Sequence, residues 1–326
     1  MIISKSPLRI SLFGGGTDIK SFYSKFGSKF ISLSINKYVY SLIHEPFEEQ
    51  FFLKYRKNEI VNDIESIKND LLKEILIKLN IKKPLEISNF ADIPYGTGLG
   101  SSGAYIVSMI NALNSYPDKS YKNNASYKKL LAKNSSKIEI NFFNNNIVGL
   151  QDTYISTYGG LKSFAVSKSG NVAVKDLVSK SDVKKFSEQL FLFFTNKVRS
   201  TNDQKTKLST EEHEANLHKV LQMEKMGKDF LLAKDNESIG RLLYEQWLLK
   251  LKRNPSPFHK KINEIIKDSI KFGAYGGKLI GAGGGGFILI HSNKKNITKI
   301  NEIMIKNNFK HVNFEADFDG ASKLII

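Results

Sequence analysis

Apolar and polar positions alternate through residues 2–13 before the chain runs into Gly14-Gly15-Gly16-Thr17-Asp18, which predicts a strand closed by a tight turn. Period-two spacing returns over 30–46, at Ile31, Leu33 and Ile35 and again at Tyr38, Tyr40 and Leu42, and predicts a second strand-rich stretch. The period then lengthens. Ile64, Ile67, Leu71, Leu72, Ile75, Leu76 and Leu79 share one helical face, predicting a helix over 64–79. A short strand at 85–88 precedes a glycine-rich loop at 95–103, which feeds into an apolar stretch, 104–113, with the texture of a buried helix. A further helix is expected over 127–143. After it come Gly149-Leu150-Gln151-Asp152, a run of small residues and the pair Gly159-Gly160, and then a hairpin over 164–174 around Ser169-Gly170.

From about Lys180 the pattern changes to a strand at 189–195 and long amphipathic helices over 211–233, 238–251 and 259–272. Glycine then returns at 276–286, followed by a strand-like run at 287–291. A chain of 326 residues exceeds the size at which one hydrophobic core usually stops growing, so two packed domains are expected, 1–180 and 181–326, in an α+β protein.

Composition narrows the function classes. Hydrophobic residues at 41% and charged residues at 25%, with only 7 prolines, describe a folded globular chain and not a linker-rich one. The absence of cysteine excludes a disulfide framework, a thiolate metal site and a cysteine nucleophile, and suits a reducing compartment. The first residues lack the apolar core of a signal peptide, and no stretch approaches the roughly 18 apolar residues that span a bilayer. A cytoplasmic protein with no membrane partner is the expectation. A net charge of +17 fits either nucleic acid or phosphorylated ligands. The lysines are scattered, with no RNP, zinc-finger or basic-zipper pattern, so a small-molecule partner is expected and nucleic acid is not.

Three glycine-rich segments carry the candidate chemistry. Pro94-Tyr95-Gly96-Thr97-Gly98-Leu99-Gly100-Ser101-Ser102-Gly103 lets backbone approach an anion at the start of a helix, whose unpaired N–H groups favour negative charge. It lacks the Gly-Lys-Ser/Thr ending of a P-loop and the G-x-G-x-x-G of a dinucleotide fold; a plain tight turn before a buried helix fits it equally. Gly283-Gly284-Gly285-Gly286 costs backbone entropy, roughly 1 kcal/mol per glycine, so either a close approach or a crowded turn needs it. The segment around Gly15, Gly16, Thr17 and Asp18 suits sugar hydroxyls, or is simply a turn.

In this order and at these separations, Pro7-Leu8-Arg9-Ile10-Ser11-Leu12-Phe13-Gly14-Gly15-Gly16-Thr17-Asp18, the 94–103 loop and the 278–287 tract resemble the three signature motifs of the GHMP kinase superfamily, across essentially the whole chain. The resemblance implies an N-terminal domain like the second domain of ribosomal protein S5, a ferredoxin-like C-terminal domain, and ATP with Mg²⁺ as cofactors. It implies Asp152 as the catalytic aspartate with Arg9 beside it, and the backbone and side chains of Pro94, Gly96, Gly98, Leu99, Gly100, Ser101, Ser102 and Gly103 around the ATP phosphates. Ser102 and Glu139 would hold the metal. Thr17, Asp18, Gly15, Gly16, Gly283 and Gly284 would line the acceptor side. Many relatives end the middle motif in Ser-Ser-Ala, where this chain has Gly103.

The Leu8–Asp18 stretch looks like the branch that phosphorylates D-glycero-D-manno-heptose 7-phosphate at its anomeric hydroxyl, feeding nucleotide-activated heptose into surface polysaccharide. A fucose- or galactose-type kinase, or a sensor that keeps the fold without chemistry, are the rival readings. A galactokinase would carry Gly-Glu-His-Thr-Asp-Tyr where this chain has Gly14-Gly15-Gly16-Thr17-Asp18-Ile19. An acceptor that already bears a phosphate needs a second anion site, for which Arg199, Lys252 and Arg253 are the candidates. A monomer or homodimer is expected.

Overall fold

The computed structural model describes residues 1–116, 124–143, 148–198, 208–281 and 283–326. The two alternating stretches at the start become long antiparallel partners, β1 (Ile2–Phe13) and β2 (Ser28–His44), with a bulge between Pro7 and Leu8. They organise an eight-stranded sheet. β12 (Ser322–Ile325) adds to the free side of β1, and β5 (Glu86–Ala91), β3 (Phe51–Lys54) and β4 (Asn58–Val61) follow β2. β6 (Leu161–Val166) pairs the first half of β2 and forms the expected hairpin with β7 (Val172–Asp176). Only β3 and β5 run parallel among these pairs.

Between β1 and β2 lies α1 (Lys20–Phe26); α3 (Ser101–Leu113) and α5 (Gln151–Tyr158) pack on the sheet, and α2 (Asp70–Lys78) and α4 (Ala125–Phe143) pack against α3. α3 is apolar on nearly every face because it is wedged between β1 and β2 on one side and α4 and α5 on the other. α2 is shorter than the expected 64–79 helix. Asn69 accepts from the Leu72 N–H and fixes the start at Asp70, while Ile67 stays buried from outside the helix. α5 occupies the run of small residues to which the pattern gave no element.

A second sheet takes β11 (Lys310–Val312), β8 (Leu190–Phe194), β10 (Phe287–Ser292) and β9 (Ala274–Leu279) in that order, all antiparallel. Part of the expected glycine tract is therefore strand: Gly276 and Gly277 lie inside β9, where a Cβ on Gly276 would lie 1.9 Å from the Gly240 carbonyl oxygen. α6 (Lys180–Ser187), α7 (Thr210–Ala233), α8 (Asn236–Arg253), α9 (Pro257–Lys271) and α10 (Ile297–Lys306) complete the described helices. α7 begins at a capping box formed by Ser209 and Glu212.

α7 packs on β1 and β2, while α8 packs on both β9 and β1, so these two helices tie the sheets together. One continuous core runs from Leu8, Ile10 and Leu33 of the first sheet to Leu192, Phe287 and Leu242 of the second half. That junction leaves a cleft along its polar side. Among the described residues no helix is long and apolar enough to cross a membrane.

Candidate active site

The loop between β5 and α3 runs through Gly96, Gly98 and Gly100, all at positive φ of 78–85°. No side chain caps α3, so the first N–H groups of Ser101 and Ser102 open towards a cleft of about 470 Å³. A 13-residue helix ending on uncapped N–H groups, with its positive dipole end, is a ready seat for phosphate oxygens. The third glycine segment explains itself here. A Cβ on Gly281 would lie 2.4 Å from the Gly98 α-carbon, and one on Gly286 only 1.9 Å from the Thr97 carbonyl oxygen. The run is needed for close approach, because it packs backbone on backbone beneath the first loop.

Arg9 projects from β1 to the same point. Its Nε donates to Asp152 Oδ1 at 2.8 Å, Nη2 lies 2.6 Å from that oxygen, and Nη1 donates to the Gly98 carbonyl at 2.6 Å. The Arg9 N–H also donates to the Leu99 carbonyl. One guanidinium thereby fixes the carboxylate and the loop relative to each other. Asp152 sits in the first turn of α5 and keeps 24% of its side chain accessible, while Arg9 keeps 7%. Gly100 passes so close that a Cβ there would be 3.2 Å from Asp152 Oδ2.

Two further carboxylates converge. Asp18 Oδ2 accepts from the Gln151 N–H and Oδ1 from the Gly16 N–H, both at 2.9 Å, so Asp18 closes its own turn and caps α5. Burial, reinforced by the charge of Asp152, raises its pKa despite those backbone bonds. Glu139, on α4, accepts from Ser102 Oγ at 2.7 Å with one oxygen, while its other oxygen is buried without a partner. Burial first, and Asp152 second, push Glu139 up to about 8.

The wall supplied by α8 was only partly foreseen. Gln246, Trp247, Lys250, Arg253 and Asn254 line the cleft at helical spacing. Lys250 Nζ donates to the Leu279 carbonyl at 3.2 Å and also to the Gly281 carbonyl, tethering the third glycine segment. Lys278, on β9, is buried, with Nζ donating to the Leu12 carbonyl and to Gln246 Oε1, each at 2.6 Å. Burial, with Lys250 and Arg9 nearby, lowers its pKa well below the usual lysine value.

Of the residues singled out from sequence, Arg9, Gly15, Gly16, Asp18, Gly96, Gly98, Gly100, Ser101, Ser102, Glu139, Asp152 and Arg253 meet on the cleft wall. Others lie elsewhere. Pro94 is on the exposed rim of the loop and Leu99 is in the core. Gly103 lies behind Asp152. Thr17 is fully buried, its hydroxyl shared between the Gly14 carbonyl and Ser28, so it shapes the turn from behind the wall. Gly283, beside His259 and Lys250, Gly284 and the exposed Lys252 are not among the lining residues. Arg199 lies outside the described residues.

Comparison with known proteins agrees with this geometry. Residues 64–160 match the model for the GHMP kinases N terminal domain, and 228–311 that for the GHMP kinases C terminal. D-glycero-alpha-D-manno-heptose 7-phosphate kinase of Campylobacter jejuni is 28% identical, over 88% of this chain and 88% of its own. Mevalonate kinase of Saccharolobus solfataricus is 26% identical, over 89% of both chains. The crystal structure of a D-glycero-D-manno-heptose 1-phosphate kinase from Bacteriodes thetaiotaomicron superposes with a TM-score of 0.81 at 22% identity, covering 100% of this chain and 99% of that one. With both domain models matched in order and the whole fold shared, the chain belongs to the GHMP kinases, a family of ATP-dependent kinases.

Proposed function

We propose that the protein transfers the γ-phosphoryl group of ATP to the anomeric hydroxyl of D-glycero-D-manno-heptose 7-phosphate, giving the 1,7-bisphosphate from which nucleotide-activated heptose for surface polysaccharide is made. The observation that carries the reading is the Arg9–Asp152 pair, held against the uncapped start of α3 and flanked by Asp18. Phosphoryl transfer needs positioning and charge stabilisation more than covalent help, and this arrangement offers both.

In this mechanism the N–H groups and hydroxyls of Ser101 and Ser102 hold the triphosphate. Asp152 Oδ2 accepts the proton of the anomeric hydroxyl as its oxygen attacks the γ-phosphorus, the bond to the β-phosphate oxygen breaks, and ADP leaves. Arg9 keeps Oδ1 occupied, so the free oxygen faces the acceptor, and its guanidinium offsets the charge that builds on the transferring group. Asp18 and the Gly15–Gly16 backbone form the edge against which the sugar rests.

Magnesium fits the residues present. Among the described residues no group of three or more ligating side chains exists, but Mg²⁺ commonly takes one or two protein oxygens and completes its shell with phosphate and water. The buried, unpartnered Glu139 oxygen beside Ser102 is such a place. When bound there, the ion would neutralise charge on the β- and γ-phosphates.

The acceptor assignment leans on the likeness to the Campylobacter jejuni heptose 7-phosphate kinase. It is tested by following ATP consumption with heptose 7-phosphate, heptose, fucose, galactose and mevalonate, and by locating the new phosphate by ³¹P NMR. Turnover confined to unphosphorylated sugars or to mevalonate overturns it.

A further inference from the structure

Lys278 and Gln246 form a pair on the cleft wall that the mechanism above does not use. Lys278 stands near the end of β9 and Gln246 one turn before Lys250 on α8; both are 7% exposed and both line the cleft. Lys278 Nζ donates at 2.6 Å to Gln246 Oε1, and at 2.6 Å to the carbonyl of Leu12, two residues before the turn that begins at Gly14. It has no carboxylate partner among the described residues, and the charges that act on it, Lys250 and Arg9, are both positive.

That contact fixes how the carboxamide faces. An ammonium has donors only, so the atom it touches is the amide oxygen, and the amide nitrogen takes the other position. Gln246 Nε2 has no hydrogen-bond partner among the described residues and is not sealed inside the protein, so its two N–H groups open on the cleft. The cation on Oε1 draws electron density from the amide and strengthens those N–H groups as donors. A glutamate at this position would fill the same space and pair with the buried ammonium, compensating its charge. The chain carries glutamine instead, which forgoes the ion pair and presents two donors where glutamate would present a carboxylate.

We propose that Gln246, aimed by Lys278, is a specificity-determining residue whose carboxamide N–H donates to an oxygen of the acceptor other than the one phosphorylated, a sugar hydroxyl in the reaction proposed above. The placement favours the acceptor over the nucleotide. Through Lys278 the carboxamide is bound to the last residues of β1, which lead into Gly15, Gly16 and Asp18, whereas the seat for the triphosphate is the start of α3. The assignment rests on an acceptor lying against the Asp18 turn, and it holds for whichever of the candidate acceptors turns over.

The test compares wild type, Gln246→Glu, Gln246→Met and Lys278→Met by thermal melts and by initial rates with the acceptor that turns over in the ATP-consumption screen and with its monodeoxy analogues. Gln246→Glu keeps the shape and gains an ion pair with Lys278, so it melts no lower than wild type. Its kcat/KM for the acceptor falls about 10- to 100-fold, because the acceptor oxygen now faces a carboxylate, while the KM for ATP stays within about twofold. Gln246→Met loses the N–H groups without adding charge and falls about 10-fold. One deoxy analogue, the one lacking the bonded hydroxyl, is used about 10-fold less well than the full acceptor by wild type and about equally well by Gln246→Met. Lys278→Met leaves the carboxamide free to turn and loses part of the same discrimination, with the KM for ATP held. Acceptor kcat/KM within about twofold of wild type in both Gln246 variants, a loss that appears in the KM for ATP instead, or discrimination among the deoxy analogues that persists in Gln246→Met overturns the assignment. The two claims separate cleanly. Gln246-dependent turnover of an unphosphorylated sugar alone sinks heptose 7-phosphate as the acceptor and leaves the role of Gln246; turnover of heptose 7-phosphate indifferent to Gln246 does the reverse. Should Lys278→Met fail to fold, the two Gln246 variants decide the matter.

Discussion

Glu139 is a buried carboxyl whose charge its surroundings disfavour, and replacing it with glutamine tests the electrostatics of the site directly. The side chain is 1% exposed, one oxygen is bound by Ser102, the other has no partner, and the nearest charges are Asp152 and Asp18 against Arg9. Arg9 is already committed to Asp152. Burial, then Asp152, raises the Glu139 pKa from 4.5 to about 8, so between those values the folded chain keeps a proton that the unfolded chain has released. Stability is therefore undiminished below about pH 4.5, declines as pH rises towards about 8, and carries the whole penalty above that. At about 1.4 kcal/mol per pH unit the penalty amounts to a few kcal/mol. Glutamine has the same shape, still accepts from Ser102 and carries no charge. Without nucleotide or divalent cation, Glu139→Gln is expected to melt roughly 5 °C above wild type near pH 8.5 and within about 1 °C of it near pH 5. Magnesium with an ATP analogue narrows the gap at the higher pH, because a cation favours the ionised carboxylate only in wild type. Differential scanning calorimetry at the two pH values reads the effect. An equal gap at both, or a variant less stable near pH 8.5, would refute the reasoning.

Other substitutions probe positioning. Gly103→Ala brings a Cβ to 2.7 Å from the Asp152 Cβ and 2.9 Å from its backbone carbon, so α5 must shift; kcat is expected to fall about 10- to 100-fold with ATP affinity nearly unchanged, by steady-state kinetics and calorimetry. Lys250→Met releases the carbonyls of Leu279 and Gly281 and frees the backing of the Gly98 loop. It should lower stability by about 1–3 kcal/mol and raise the KM for ATP, measured by thermal melts and initial rates.

Much of this was legible in the chain because local signals and tertiary context agreed. β1, β2, α3, α4 and the three long helices of the second half follow their apolar periodicity, and the positive-φ glycines of the 96–100 loop stand where the pattern put an anion site. The misses have physical causes. α5 reads Gln-Asp-Thr-Tyr-Ile-Ser-Thr-Tyr, poor in helix formers; burial of six of its residues and the Asp18 carboxylate at its start hold it as a helix, and both come from distant parts of the chain. The expected helix at 64–79 overran because Ile64 and Ile67 extend the apolar stripe beyond Asn69, where the cap decides. Thr17 looked like a ligand because a hydroxyl beside an aspartate has the right chemistry, but periodicity does not say which of two adjacent polar residues faces inward. β12 is too short to announce itself, and its pairing with β1 joins positions more than 300 residues apart. Gln246, Lys250 and Arg253 of the cleft face stand at spacings of four and three along α8, but Arg241, Glu245 and Lys252 make other faces of the helix polar too, so that face did not stand out.

The central claim is that Asp152, aimed by Arg9, takes the proton from an acceptor hydroxyl. The measurement that tests it most directly is the turnover number of Asp152→Asn set beside its ATP affinity. Asparagine keeps an oxygen for Arg9 but cannot accept the proton, so kcat is predicted to fall by roughly 10²–10⁴-fold while calorimetric ATP binding stays within about twofold of wild type. Turnover close to wild type in that variant, with ATP still bound, would contradict the account.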